Sequence, residues 1–310
     1  MTTSTTKNNR WLHRYATFVA FATFLLIIAG ALVTSNDAGL SVPDWPTSFG
    51  SFRMPRMVGG VKFEHGHRMV AGTVVILTVI LALWLWKREE RPWVQRLGGL
   101  AVLTILAQAI LGGITVLYFL PVDISVAHAC LAQLFFCIIV SIALFTDPDW
   151  RSHRTKLADA STPSLRLLSV ATMISVFVQL MLGAAFRHHG FGIMPHVFVA
   201  AMVAILVFWL LIRVLAGFRH EPRLERLTLF VAGLLVLQIA LGVSSYFMVI
   251  GSRTAPQPLP AVVAVTTTHV AVGALLLASC LALTLTTYLL VSEPSRAPAQ
   301  EISPVIGAGR

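Results

Sequence analysis

Four histidines lie at corresponding positions within apolar stretches of the chain, and imidazole is the side chain here best suited to bind a metal or a haem iron. A histidine inside an apolar segment needs a hydrogen-bond partner or a metal to offset its lost hydration. A single one is more often a hydrogen-bonded structural residue, but four at similar depth favour ligands. Haem iron takes two axial imidazoles, whereas zinc takes three or four protein ligands. Two histidine pairs therefore predict haem binding, and the four residues are His67, His128, His196 and His269.

A carboxylate accompanies only the first of these histidines. In Phe63-Glu64-His65-Gly66-His67-Arg68, Glu64 precedes His67 by three residues, so the two side chains share one face of a helix. An acidic residue in a first helical turn also stabilises the helix dipole by about 0.3–1 kcal/mol, and the local pattern leaves both explanations open. No carboxylate stands at the corresponding position before the other three histidines. This asymmetry favours a reaction site with Glu64 as its catalytic residue at one pair, and an electron-carrying haem at the other.

The remaining histidines and the cysteines fit this scheme less well. The histidines are predicted to be solvated, with His65 and His189 as the exceptions nearest the proposed ligands. The cysteines lie inside predicted helices without the short paired spacing of a redox or zinc motif, so we interpret them as packing residues. These residues are His13, His65, His153, His188, His189, His220, Cys130, Cys137 and Cys280.

The composition places these side chains in a bilayer. Of 310 residues, 56% are hydrophobic and 12% are charged, and the mean hydropathy is +0.81, which excludes an ordinary soluble domain. About eight apolar stretches are long enough to cross a hydrocarbon layer of about 30 Å as helices. They predict helices near 15–34, 65–86, 97–118, 126–145, 167–185, 193–215, 227–249 and 263–291.

The basic residues indicate topology. The net charge of +10 is spread over short clusters between apolar segments and forms no single patch, so nucleic-acid binding is not predicted. Most clusters fall before the first helix, after the even-numbered helices and in the C-terminal tail. By the positive-inside rule, the protein is a multi-pass inner-membrane protein with both termini in the cytoplasm.

An internal repeat organises the helices. A Gln-x-x-x-Gly segment lies near the outer end of three odd-numbered helices, and the next helix always carries one of the four histidines. The fold class predicted is an all-α membrane protein whose eight transmembrane helices form two similar four-helix bundles. The predicted units are a cytoplasmic segment 1–14, an N-terminal bundle 15–150, a C-terminal bundle 151–292 and a disordered cytoplasmic tail 293–310. The repeated segments are Gln108-Ala-Ile-Leu-Gly112, Gln179-Leu-Met-Leu-Gly183 and Gln238-Ile-Ala-Leu-Gly242, with Ile28-Ala-Gly30 as a weaker copy.

Over nearly all eight helices the chain resembles the haem A synthase family. The resemblance rests on Glu64-x-x-His67-Arg68, the three later histidines, the Leu-Gly hairpins and the segment 38–46, which reads Ala-Gly-Leu-Ser-Val-Pro-Asp-Trp-Pro. That segment is similar to the family's Gly-Leu-x-Cys-Pro-Asp-Trp-Pro loop. Many bacterial members carry a cysteine pair there, but the equivalents here are Val42 and Ser48, so a redox role for the pair does not transfer.

The resemblance implies an enzyme that oxidises a ring methyl of haem O to the formyl of haem A through a hydroxylated intermediate. It implies that His67 and His128 hold haem O, that Glu64 acts near the methyl, and that His196 and His269 hold haem b. Arg68 and Arg187 are candidates to pair with haem propionates, and pairing with structural partners or lipid headgroups is an equal alternative for each. A haem O synthase and a haem A-containing terminal oxidase are the implied partners, alongside the lipid bilayer, and a homo-oligomer is left open.

Two other functions are compatible with the histidine spacing. A membrane cytochrome b with bis-histidine haems would carry electrons without chemistry on its haems, and it needs no carboxylate in one bundle only. A transporter with a 4+4 repeat would use the histidines as proton or metal sites, and would be colourless when purified.

Overall fold

The computed structural model describes residues 10–151, 156–256 and 258–292. Within these ranges eight helices are long and apolar enough to cross a membrane, as the sequence predicts. A short 3₁₀ turn, Pro148–Arg151, follows the fourth helix. The helices are α1 (Arg10–Ser35), α2 (Val61–Arg88), α3 (Pro92–Leu117), α4 (Val122–Thr146), α5 (Leu165–Arg187), α6 (Ile193–Gly217), α7 (Pro222–Gly251) and α8 (Pro260–Leu290).

Most helices begin several residues before the apolar stretches that predict them. Three of them start with a proline, which has no N–H to satisfy and whose φ suits a first helical turn: Pro92, Pro222 and Pro260. The helix α1 is already formed at Arg10, so the predicted segment 1–14 is helical in its described part. Residues 1–9 and the predicted disordered tail 293–310 lie outside the described residues.

The helices pack as two rings of four. In the first ring α1 contacts α2 and α4, and α3 contacts the same two helices. In the second ring α5 and α7 each contact α6 and α8. The predicted class, eight helices in two four-helix bundles, is therefore confirmed. The boundary predicted at residues 150 and 151 stays a prediction.

Each bundle has its own apolar core, and α8 joins the two. The first core contains Leu81, Ile105 and Phe135, and the second contains Leu210 and Leu277. The helix α8 packs against α1 and α4 as well as within its own bundle. The contact between the bundles is lined by Ile27, Phe136, Ala274 and Ala278.

Two short parallel strands, which the sequence pattern does not predict, tie the second bundle together at the end opposite the four histidines. The strand β1 (Leu157–Ala158) pairs with β2 (Val291–Ser292). Beside them, buried Asp159 accepts hydrogen bonds from the Leu165 N–H at 2.5 Å and the Arg213 guanidinium at 3.2 Å. The connection from α4 is thus fixed to the start of α5, to α6 and to the end of α8.

Candidate functional site

Each of the four histidines lies against a glycine of the preceding helix. A Cβ built on that glycine would meet the imidazole Cε1 closer than nearly all real Cβ contacts, so only glycine lets the ring rest directly on the helix backbone. The distances from such a Cβ to Cε1 are 3.2 Å for Gly30 and His67, 3.1 Å for Gly112 and His128, 3.0 Å for Gly183 and His196, and 3.0 Å for Gly242 and His269.

The structure brings the histidines together in the predicted pairs. His67 and His128 interact electrostatically within the first bundle, as do His196 and His269 within the second. The Nδ1 atoms of His67, His128 and His269 are buried without a hydrogen-bond partner, although buried polar atoms are normally paired. Among the described residues no group of three histidine, cysteine or acidic side chains could hold a metal ion. The donor sets therefore suit an iron with two axial imidazoles better than zinc.

A glutamine lies one turn before three of these glycines, beside the same histidines. The Gln108 amide donates to the His128 carbonyl at 2.9 Å, and Gln179 contacts both ring nitrogens of His196, at 3.1 Å through its amide and 3.2 Å through its backbone carbonyl. A Cβ on Gly273 would lie 3.0 Å from the Gln238 amide nitrogen. The side-chain oxygens of all three glutamines are buried without partners. In α1 the corresponding residue is Leu26, so His67 has no such neighbour.

Small side chains follow each histidine by one helical turn: Ala71, Ala132, Ala200 and Gly273. Together with the glycines on the facing helices, they leave room for a flat ligand beside each ring. The unpaired imidazole nitrogens and glutamine oxygens are the polar groups left over in these spaces. The residues in both bundles therefore fit a haem.

Glu64 is buried in the first turn of α2, only 4% exposed, and ties that helix to the segment 38–50. One carboxylate oxygen accepts from the Val42 N–H at 2.8 Å, and the other pairs with Arg68 at 2.7 Å. The Arg68 guanidinium also donates to the carbonyls of Asp44 at 2.7 Å, Thr47 at 3.0 Å and Val42 at 3.3 Å. These four bonds use four of its five N–H donors. The structure therefore assigns Arg68 to the loop, which disfavours the predicted pairing with a haem propionate.

The rest of this loop is also well packed. Val42 is fully buried, and the Ser48 hydroxyl is hydrogen-bonded to His65 Nδ1 at 2.9 Å. The Trp45 ring covers Gly113 of α3, where a Cβ would lie 2.6 Å from ring atom Cδ2. Hydrogen bonds from Thr47 and from the Gly50 N–H hold the pKa of Asp44 below its usual range. The loop is thus ordered by contacts of Val42 and Ser48, the two residues that stand in place of the family's cysteine pair.

A family model described as cytochrome oxidase assembly protein matches residues 62–196, which include Glu64 and three of the four histidines. A relative named haem A synthase, from Lysinibacillus sphaericus, is 28% identical to this chain over 185 residues. The match covers 59% of this chain and 60% of the relative. In Brucella anthropi the identity is 29% over 161 residues, covering 47% and 42%. The chain is similar to haem A synthases over about half of its length. It spans three fifths or less of the length of these haem A synthases.

Two histidines lie in environments that differ from the predicted ones. His188, predicted to be solvated, is half-buried beyond the end of α5 and interacts electrostatically with His128. His13 is hydrogen-bonded to the Ala143 carbonyl at 3.0 Å. No local signal could reveal these contacts, because each joins elements distant in sequence. The predicted solvation of His153 falls outside the described residues. The cysteines Cys130, Cys137 and Cys280 are free, in agreement with packing roles.

Proposed function

We propose that the protein oxidises the ring methyl of haem O to the formyl of haem A. The observation that carries the proposal is a buried carboxylate, Glu64, one turn from His67 in the first bundle, with no equivalent before His196 or His269. Haem O is the substrate, held between His67 and His128. Similarity to relatives named haem A synthase supports the same activity.

Glu64 is the catalytic residue of this proposal. Conversion of a methyl to a formyl takes its oxygen from water and balances as R–CH3 + H2O → R–CHO + 4 H+ + 4 e−. Positive charge builds near the ring as the electrons leave, and a fixed carboxylate can stabilise this charge and accept a proton. The Arg68 guanidinium and the Val42 N–H hold that carboxylate in place, so no reorganisation is needed when charge develops. Arg68 also binds the carbonyls of Asp44 and Thr47, which fixes the segment 42–47 beside Glu64.

His196 and His269 would hold haem b in the second bundle. Haem b bound there would supply one-electron chemistry for the removal of electrons from the substrate. Gln179 orients His196 by accepting a hydrogen bond from Nδ1 through its backbone carbonyl. Its side-chain amide contacts Nε2 at 3.1 Å, so this amide must turn away for Nε2 to bind the iron. The two bundles thereby divide substrate oxidation from electron removal.

The membrane is the cytoplasmic membrane, with both termini on its inner side. This orientation is supported by the basic residues at the ends of the helices away from the four histidines, among them Arg88, Arg91, Arg166, Arg219 and Arg223. A haem O synthase would supply the substrate, and a haem A-containing terminal oxidase would receive the product. Neither partner has an identified surface here.

The proposal is tested by co-expressing the protein with a source of haem O in a host that lacks haem A. The membrane haems are extracted and identified by chromatography and mass. Haem A is the expected product in the wild type. Accumulation of the hydroxylated intermediate alone also supports the reaction, since it is the first half of it. A red protein with unchanged haem O would instead favour the cytochrome b function, and a colourless protein the transporter.

The division of roles has its own readout. His196→Ala or His269→Ala should remove the haem b spectrum, because each variant lacks one axial ligand. His67→Ala should retain that spectrum and lose substrate binding. Loss of haem b in His67→Ala but not in His196→Ala would overturn the assignment of the two bundles.

A further inference from the structure

The second bundle reaches over the outer end of the first. At the end of α5, the Arg187 guanidinium donates to the carbonyl of Thr34 in α1 at 2.9 Å. Thr34 lies one turn beyond Gly30, the glycine that faces His67. The following Gly190 packs against the first residue of α4, with a Cβ position 3.2 Å from Val122 Cγ1. Residues 187–190 therefore bridge α1 and α4, the two helices of the first bundle nearest the second.

His188 lies at the same junction. It follows the last residue of α5, is half-buried, and interacts electrostatically with His128. The first histidine pair thus has a third imidazole nearby, contributed by the other bundle. His188 and Arg187 are adjacent in the chain, so the segment that bridges the two bundles carries an imidazole beside a guanidinium.

The chemistry of this edge suits a carboxylate. The bond to Thr34 uses one of the five N–H donors of Arg187, whereas Arg68 has four of its five occupied. Asp37 is the acidic group that interacts electrostatically with Arg187. A haem carries two propionates, which at a membrane surface need water or a cation.

We propose that Arg187 and His188 bind a propionate of the haem in the first bundle, so that the second bundle completes the substrate site of the first. The proposal rests on the proposed function, because it takes the ligand between His67 and His128 to be a haem. It makes the α5–α6 connection a determinant of substrate binding, and not only a link between helices.

The test uses the full-length protein with its second-bundle haem in place. Ferric haem b and its dimethyl ester are titrated as probes of the first bundle by absorbance. The wild type should bind the free acid about tenfold more tightly than the ester, since the ester cannot form a charge-assisted pair. Arg187→Gln should reduce the affinity for the acid to that for the ester and leave the ester unchanged. Arg187→Lys should restore part of the difference.

Three further variants sharpen the result. Asp37→Asn should tighten binding of the free acid, because it removes a competing carboxylate. His188→Ala should weaken binding of the acid more than of the ester. Arg253→Gln is the matched control, an exposed arginine that follows α7 at the same end of the helices, and it should change neither affinity.

An equal loss for acid and ester in Arg187→Gln would show that the Thr34 bond only supports the structure, and would overturn the proposal. A wild type that does not distinguish the two probes would also overturn it. If His67→Ala leaves both titrations unaltered, the first bundle does not bind haem, and the proposed function itself fails. If the protein makes haem A but binds the free acid and the ester equally, the propionate site is rejected and the proposed function stands.

Discussion

The imidazole of His128 directs its Cε1 edge at Gly112, and a Cβ on the glycine would lie 3.1 Å from Cε1. The same contact occurs at the other three histidines, although the helices differ in length and sequence around them. A repeated close contact of this kind fixes where each ring can point. It makes the glycine as much a part of the site as the ligand it faces.

Gly112→Ala should therefore weaken haem binding in the first bundle by about tenfold, the usual effect of disturbing a residue that orients a ligand. The ring must shift by a few tenths of an ångström to admit the methyl group. Gly99→Ala in the same helix is the control, because a Cβ there meets nothing within 4 Å. Bound haem per protein, measured by absorbance, is the readout. Equal haem content in both variants would show that the contact does not position His128.

Gly242→Ala should have the matching effect in the second bundle, with loss of the haem b spectrum while the first bundle still binds added haem. Its control is Gly233→Ala in α7, which also has open space around the new Cβ. Alanine favours a helix over glycine by about 1 kcal/mol, so neither control should be less stable than the wild type. Loss of haem from both bundles in Gly242→Ala would point to general unfolding instead.

Glu64→Gln should abolish formyl production while haem remains bound, because the amide still accepts from Val42 but cannot take a proton or balance positive charge. The ion pair with Arg68 raises a rival explanation, in which the variant acts by releasing the loop. Arg68→Gln separates the two, since it removes the bonds to Asp44 and Thr47 but keeps the carboxylate. Product analysis with thermal unfolding should show Glu64→Gln inactive and folded, and Arg68→Gln less stable yet partly active. Full activity of Glu64→Gln would contradict the catalytic role of the carboxylate.

The Ser48–His65 hydrogen bond orders the loop at a position where many members of the resembled family carry a cysteine. Ser48→Ala and His65→Ala should each lower the unfolding temperature. The double variant should lose less stability than the two single variants lose together. A coupling of about 1 kcal/mol is typical of one partly buried hydrogen bond. Strict additivity would mean that the bond contributes nothing, and that buried Val42 and the Glu64 contact order the loop by themselves.

Much of this arrangement follows from local sequence signals. The length of the apolar stretches predicts the eight helices. The Gln-x-x-x-Gly segment recurs one helix before His128, His196 and His269, and this repeat predicts that the three histidines share one geometry. The engagement of Arg68 by loop carbonyls and the approach of His188 to His128 could not be predicted. Both depend on how a loop or a second bundle lies on the first, and residues far apart in sequence leave no periodic signature. The short strand pair β1 and β2 was missed for the same reason.

Asp159 should make the stability of the second bundle depend on pH. Burial raises the pKa of its carboxyl, but hydrogen bonds from the Leu165 and Ser161 N–H groups and the Arg213 charge outweigh burial and hold the pKa below its usual range. A carboxyl with a lowered folded-state pKa stabilises the fold above its ordinary pKa of about 3.9, and that stability is lost as the pH falls through the folded value. Asp159→Asn should therefore unfold at a lower temperature than the wild type at pH 7. This difference in unfolding temperature should shrink as the pH falls and the carboxylate of the wild type is protonated.

The control for this prediction is Asp149→Asn, whose side chain is 69% exposed and pairs with Arg223 at 2.8 Å. An exposed ion pair contributes about 0–1 kcal/mol, so this variant should stay close to the wild type at every pH. Unfolding curves in detergent between pH 7 and the onset of acid denaturation compare the three proteins. If the difference in unfolding temperature between Asp159→Asn and the wild type does not change with pH, the side chain acts through its shape and neutral hydrogen bonds. The charge of the carboxylate would then contribute nothing, because the charge is the property that changes as the group is protonated.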